Sequence, residues 1–214
     1  LDTEIIYPEN KNNIINAIIL LHGYGGDGKD ISALSLNWKR FLPNTIILCP
    51  NAHQICGLNP SGYQWFDLSK DDKPYILKES INAEKKINFF IEEVKAKFNL
   101  ESSKICISGF SQGCMLSINL GLILKDAFNC IVGFSGKIID KENLNTRIQS
   151  KTKMLLIHGD QDEVVPSYHL LEAKDFLIRN KINVETNMIK NCGHHISVEA
   201  SSLALNYIKK NLYI

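Results

Sequence analysis

The run Gly109-Phe110-Ser111-Gln112-Gly113 places one hydroxyl between two glycines, directly after the apolar stretch "KICIS" and directly before the apolar stretch "CMLSINL". A G-x-S-x-G pentad between a strand and a helix makes a tight turn that exposes a serine hydroxyl at the end of a sheet. The flanking glycines are needed because a β-carbon would collide with the neighbouring strand and helix. The start of the following helix directs backbone N–H groups, that of Gln112 among them, toward developing negative charge. The chemistry is nucleophilic attack, with Ser111 as the candidate nucleophile.

A serine hydroxyl is weakly nucleophilic at neutral pH and needs a base, which in turn needs an orienting carboxylate. Two later segments offer them in the expected chain order, acid before histidine. "KMLLIHG" runs into "DQDEVVP", which carries Asp160, Asp162 and Glu163; "NVETNMIKN" runs into "CGHHIS", which carries His194 and His195. The residues alone leave open which carboxylate and which imidazole take part.

Six apolar runs read as strands that would position these groups: 17–23, 45–51, 104–110, 130–136, 153–159 and 183–189. Most are continuous rather than alternating, as in strands covered on both faces. Amphipathic helices lie between them, one with the stripe Ile87, Phe90, Ile91, Val94 and Phe98, another with Ala200, Leu203, Ala204, Tyr207 and Ile208. The segment 112–124 is apolar nearly all round and predicts a central buried helix. Strands alternating with helices predict one α/β domain over 1–214, a doubly wound and mostly parallel sheet flanked by helices. Residues 51–80 lack periodicity and read as a long loop joined to a helix at about 81. Its "YQWFDL" holds Trp65 and Phe66, which either wall an apolar substrate pocket, with Trp65 the candidate, or pin the loop to the core.

"LLHGYGGDGKD", "PNA", "YQWFDL", "GFSQG", "HGDQDEVVP" and "GHHIS" together resemble the small carboxylesterase/phospholipase family of α/β-hydrolases, which includes acyl-protein thioesterases and lysophospholipases. The resemblance runs from about residue 17 to 210. It implies the α/β-hydrolase fold and a serine hydrolase of carboxylic esters, with acyl thioesters and lysophospholipids as further candidates, working without a cofactor. By the family's motifs the acid is Asp162, with Asp160 a turn residue bonding local backbone, and the base is His194. The oxyanion donors implied are the N–H groups of Tyr24 and Gln112. Four positions depart from the family pattern. Cys114 replaces a second glycine after the pentad, with an expected effect on packing only. Tyr24 is bulky where a small apolar residue is usual, so its ring is expected to narrow or roof the acyl site. His195 stands where an unrelated polar residue is common and is expected to point away from Ser111. Asn180 replaces a helix-ending glycine and is expected to take the left-handed conformation.

Gly23-Tyr24-Gly25-Gly26-Asp27-Gly28 also satisfies G-x-G-x-x-G, the dinucleotide-binding fingerprint. That reading requires an acidic residue at the end of the next strand, and "ILCPNA" has none. A catalytically silent hydrolase fold used for binding is the other alternative; no triad residue is lost to support it. His22 and His158 read as loop-shaping, and His53 and His169 as exposed.

The chain's 214 residues, 44% hydrophobic and 22% charged, are ordinary for a globular protein, and a formal charge of +1 points to neither nucleic acid nor an anionic membrane surface. No apolar run is long enough to cross a bilayer, and "LDTEIIYPEN" does not read as a signal peptide. The six cysteines show no C-x-x-C spacing, and no metal site is expected. Several lie in strand-like runs, which fits a reducing cytoplasm. Between Gly136 and Lys153 there is no room for a large cap domain. An open site favours accessible short or medium acyl esters or amphiphiles, a small-molecule or lipid-like substrate.

Overall fold

The computed structural model describes residues 1–11 and 13–213. Its centre is a seven-stranded sheet in the spatial order β1-β3-β2-β6-β7-β8-β9. The strands are β1 (Thr3–Ile6), β2 (Asn16–Leu21), β3 (Thr45–Pro50), β6 (Ile105–Phe110), β7 (Cys130–Phe134), β8 (Met154–Gly159) and β9 (Val184–Ile189). All neighbours pair in parallel except β1, which runs antiparallel to β3. Every residue of β2, β3, β7 and β8 is buried. That is why these strands are unbroken apolar runs. β9 is an edge strand and only half buried.

Helices cover both faces. On one, α1 (Gly28–Trp38) and α6 (Val198–Leu212) bury Ile31, Trp38, Ala204 and Ile208 against Ile18, Leu20 and Val132. On the other lie α2 (Lys73–Phe98), α3 (Gln112–Ile123), α4 (Lys141–Arg147) and α5 (Tyr168–Arg179), packed on Ile19, Ile107 and Leu156. Helix α3 is buried from Gln112 to Leu122, as its unbroken apolar sequence predicts. The β7–β8 connection, 135–153, has as its one helix the seven-residue α4.

Three features differ from the sequence reading. Strand β1 and a small ribbon of β4 (Gln54–Ile55) on β5 (Tyr63–Gln64) carry no periodic signal at two to four residues per strand. Helix α2 begins at Lys73, not near 81, because Asp72 accepts a hydrogen bond from Tyr75 N–H and Pro74 occupies the first turn, where a missing N–H costs nothing. At the end of α5 it is Lys181 that turns left-handed, at φ 59°, while Asn180 stays at φ −87°. The Ile182 N–H donating to Leu177 O closes that helix end one residue later than Asn180 implies.

Candidate active site

Ser111 is the single residue between β6 and α3, and its backbone sits at φ 52°, ψ −114°, a conformation side-chain-bearing residues rarely adopt. It is held there from both sides. Its N–H donates to Phe134 O at the end of β7 (2.8 Å), and its own carbonyl accepts from Met115 N–H (3.1 Å). The flanking glycines are sterically compelled. A β-carbon on Gly109 would lie 2.3 Å from the Gly113 carbonyl in α3, and one on Gly113 would lie 2.2 Å from the Leu21 carbonyl oxygen at the end of β2. The helix therefore starts in contact with two strands, and only the serine points out.

The loops after β8 and β9 bring Asp162 and His194 to the same carboxyl edge of the sheet. His194 Nε2 lies 3.0 Å from Ser111 Oγ, and its Nδ1–H donates to Asp162 Oδ2 at 2.7 Å. The other carboxylate oxygen of Asp162 accepts from the N–H groups of Val164 (3.0 Å) and Val165 (2.8 Å). Burial pushes the Asp162 carboxyl up, but the bonds from His194 and Val165 outweigh it and hold it below the usual carboxylate value. An ionised, fixed carboxylate behind an imidazole keeps the ring's Nδ1 protonated and leaves Nε2 free to accept a proton from the hydroxyl.

Asp160 and Glu163 are both exposed, and neither reaches His194. Asp160 accepts from Cys192 N–H (3.3 Å), so it ties the β8 turn to the β9 loop rather than bonding its own turn. His195 is exposed, with its N–H donating to Gly193 O and its Nε2 3.7 Å from Cys192 Sγ. Among the described residues it bonds neither Ser111 nor Asp162. His53 and His169 are partly buried rather than exposed; His169 Nδ1 pairs with Glu172 at 3.0 Å.

Gly23 packs directly on Ser111, since a β-carbon on it would lie 3.3 Å from Ser111 Cβ. Among the described residues neither Tyr24 N–H nor Gln112 N–H has an intramolecular acceptor. The peptide joining Gly23 to Tyr24 is fixed through its carbonyl, which accepts from His22 Nδ1–H (2.7 Å) and Gly26 N–H (3.1 Å). The Ala52 N–H donates to His22 Nε2 (3.0 Å), so both ring nitrogens are engaged and the ring is neutral; burial lowers its pKa. The ring stacks on Trp65 at 5.3 Å, and the Trp65 indole N–H donates to His22 O (3.0 Å). Trp65 is fully buried beneath the site and does not line the adjoining cavity. The sequence leaves both fates of this tryptophan open, and the structure assigns it to pinning. Tyr24 does border the cavity, and its hydroxyl lies 3.3 Å from Asp67 Oδ1.

The Gln112 side chain does work that the pentad does not advertise. Its Oε1 accepts from Trp65 N–H (2.8 Å) and its Nε2 donates to Phe66 O (2.7 Å), clamping the 51–72 segment against α3. His158 shapes its loop, as the sequence reading has it, and it also approaches Asp162. Its Nε2–H donates to Val165 O (2.7 Å) and lies 3.3 Å from the same Asp162 oxygen that meets His194. A buried histidine two residues before the aspartate turn is the only trace of that in the sequence.

At the start of α1, Gly28 N–H donates to Asn51 Oδ1 and Asp30 N–H to Asp27 Oδ1, both at 2.7 Å. Two of the donors that would cradle a dinucleotide phosphate at this helix start are thus already satisfied. Among the described residues, no group of three or more His, Cys, Asp or Glu is arranged to hold a metal ion.

A family model described as phospholipase/carboxylesterase matches residues 2–212. Acyl-protein thioesterase 1 of Schizosaccharomyces pombe is 28% identical, with 84% of this chain and 82% of that protein covered. An esterase of Escherichia coli is 22% identical over 90% of this chain and 81% of its own length. The crystal structure of esterase PE8 superposes with a TM-score of 0.93 at 34% identity, covering 98% of each chain.

Proposed function

This chain belongs to the phospholipase/carboxylesterase family of α/β-hydrolases and is a carboxylesterase-type hydrolase, and we propose that it cleaves acyl esters through an acyl-enzyme on Ser111. His194 takes the Oγ proton as the Oγ–carbon bond forms, and Asp162 holds the imidazole and stabilises its charged form. The N–H groups of Tyr24 and Gln112 receive the oxyanion. His194 then gives its proton to the departing oxygen or sulfur as that bond to carbon breaks. Water enters, loses a proton to His194, and attacks the acyl carbon; the tetrahedral centre expels Ser111 Oγ, which takes the proton back. One ester and one water become one carboxylic acid and one alcohol or thiol. The substrates proposed are short or medium acyl esters, with lysophospholipids and acyl thioesters of the same chemistry. The relatives include proteins named acyl-protein thioesterase.

One observation carries this reading: the hydrogen-bond chain that runs from Ser111, on its strained turn, through His194 to Asp162. A fluorophosphonate tests it, because the activated oxygen displaces fluoride and gains a stable phosphonyl mass. The expected result is one adduct, on Ser111, in the wild-type protein. An unlabelled Ser111, or an adduct elsewhere, overturns the reading.

A further inference from the structure

We propose that the groove between α1 and the start of α6 is the subsite for the leaving alcohol or thiol, with Leu34 and Val198 as its facing walls. The inference rests on the acyl-enzyme reading above. In that reaction the imidazole that removes the Ser111 proton returns it to the departing atom, so that atom must lie against His194. The rest of the leaving group then extends into whatever space opens beside that ring.

A cavity of about 450 Å³ opens there, and both His194 and Tyr24 border it. Its walls beyond the histidine are mainly apolar, with Ile31 and Leu34 from α1 on one side and Ile196 and Val198 on the other. Phe110, whose ring lies 4.8 Å from that of His194, continues the apolar surface up to the nucleophile. The space does not stop at the first cavity. Asn37, Val198 and Ser201 border it and also a second cavity of about 210 Å³ beside Trp38 and Phe41. That neck has a firm floor, because the Trp38 indole N–H donates to Ser201 Oγ at 3.0 Å. From Asp30 to Asn37, α1 advances about 10 Å at roughly 1.5 Å per residue. An extended arm of about eight chain atoms spans that distance. The preferred substrates are accordingly esters or thioesters whose leaving half is a long apolar chain, and not only those with a long acyl half.

Two ester series separate the halves: n-alkyl acetates from methyl to octyl, and methyl alkanoates from acetate to octanoate, each followed by acid release. In the wild-type protein kcat/KM is expected to rise about two- to fourfold per methylene in the alcohol series, up to about eight carbons. Leu34→Trp is expected to cut the octyl-to-methyl ratio at least tenfold while shifting the octanoate-to-acetate ratio less than twofold. Val198→Trp should do the same from the opposite wall; Val198 is 83% exposed, so the change leaves the core intact. A flat alcohol series in the wild type, or variants that flatten the acyl series instead, overturns the proposal. Fluorophosphonate labelling distinguishes the two levels. A protein that labels at Ser111 and hydrolyses esters with unchanged ratios loses only the groove assignment, whereas one that does neither loses the acyl-enzyme reading and the groove with it.

Discussion

Cys114 Sγ stands 2.4 Å from the point a β-carbon on Gly133 would occupy. From α3, the cysteine fills the hollow that glycine leaves in β7, and the same sulfur lies 2.4 Å from the corresponding point on Gly136. Burial pushes its thiol up to about 12, so it stays protonated and serves as an inert filler. We expect Gly133→Ala to destabilise by about 1–3 kcal/mol through overpacking. Cys114→Ala should rescue most of it, since the Cys114 Cβ is 3.7 Å away and the other close atom, Leu156 Cδ2 at 2.9 Å, is the far end of a side chain that can shift. It should not rescue Gly136→Ala, where that Cβ is only 2.6 Å away. Urea midpoints of the two double-mutant cycles check this; equal coupling in both would contradict it.

The two adjacent histidines should separate by function. With His194 bonded to Ser111 and Asp162, and His195 facing solvent beside Cys192, His194→Ala is expected to lower turnover of a p-nitrophenyl ester at least a thousandfold. His195→Ala should stay within about threefold of wild type. Comparable losses in both would assign the wrong ring.

Strain at the nucleophile gives a different signature. At φ 52° and ψ −114° a glycine is at ease and an alanine is not. Ser111→Gly and Ser111→Ala are both expected to be inactive, but the glycine variant should be the more stable by about 1 kcal/mol. Thermal or urea unfolding that ranks alanine above glycine would show that the turn stores no strain.

Stability should fall in two stages as pH drops. Burial lowers the pKa of His22 and His158 below the ordinary 6.5, so only the unfolded chain takes up their protons near that pH. Their contribution is complete above about pH 6.5 and is lost below it, at up to about 1.4 kcal/mol per pH unit for each ring. Asp162, held below its ordinary 3.8, keeps its contribution until the pH falls through that lower range. Urea midpoints measured from pH 8 to 3.5 should therefore slope between 6.5 and 5, and His158→Gln should make that slope shallower. An unchanged slope would mean that His158 is charged in the folded protein.

Most of the sheet is legible because its parallel strands are buried on both faces and so appear as unbroken apolar runs; "AIILL" and "TIILC" admit little else. β1 escapes because its burial is partial and it holds only four residues. The start of α2 escapes because Pro74 reads as a loop residue, and the cap Asp72 looks like any loop aspartate. At the site, the pentad and the short motifs that carry the acid and the histidine are each local, and local patterns are readable. Whether Trp65 faces a cavity or the core depends on contacts with His22 and Gln112, which are 43 and 47 residues away in sequence. No spacing rule encodes that.

The turn around Ser111 is held by β6, α3 and the adjoining β7, with Gly113 also seated on Leu21 of β2. Its partner His194 lies 83 residues later, carried by the half-buried edge strand β9. On the proposed triad, the long loop closure that brings His194 to Ser111 is expected to complete later than the pairing around the turn itself. During refolding, therefore, phosphonate reactivity at Ser111 should lag behind the burial of Trp38 and Trp65. On that expectation a half-folded chain would carry the serine turn without its base, and hydrolysis would return only once β9 has joined the sheet.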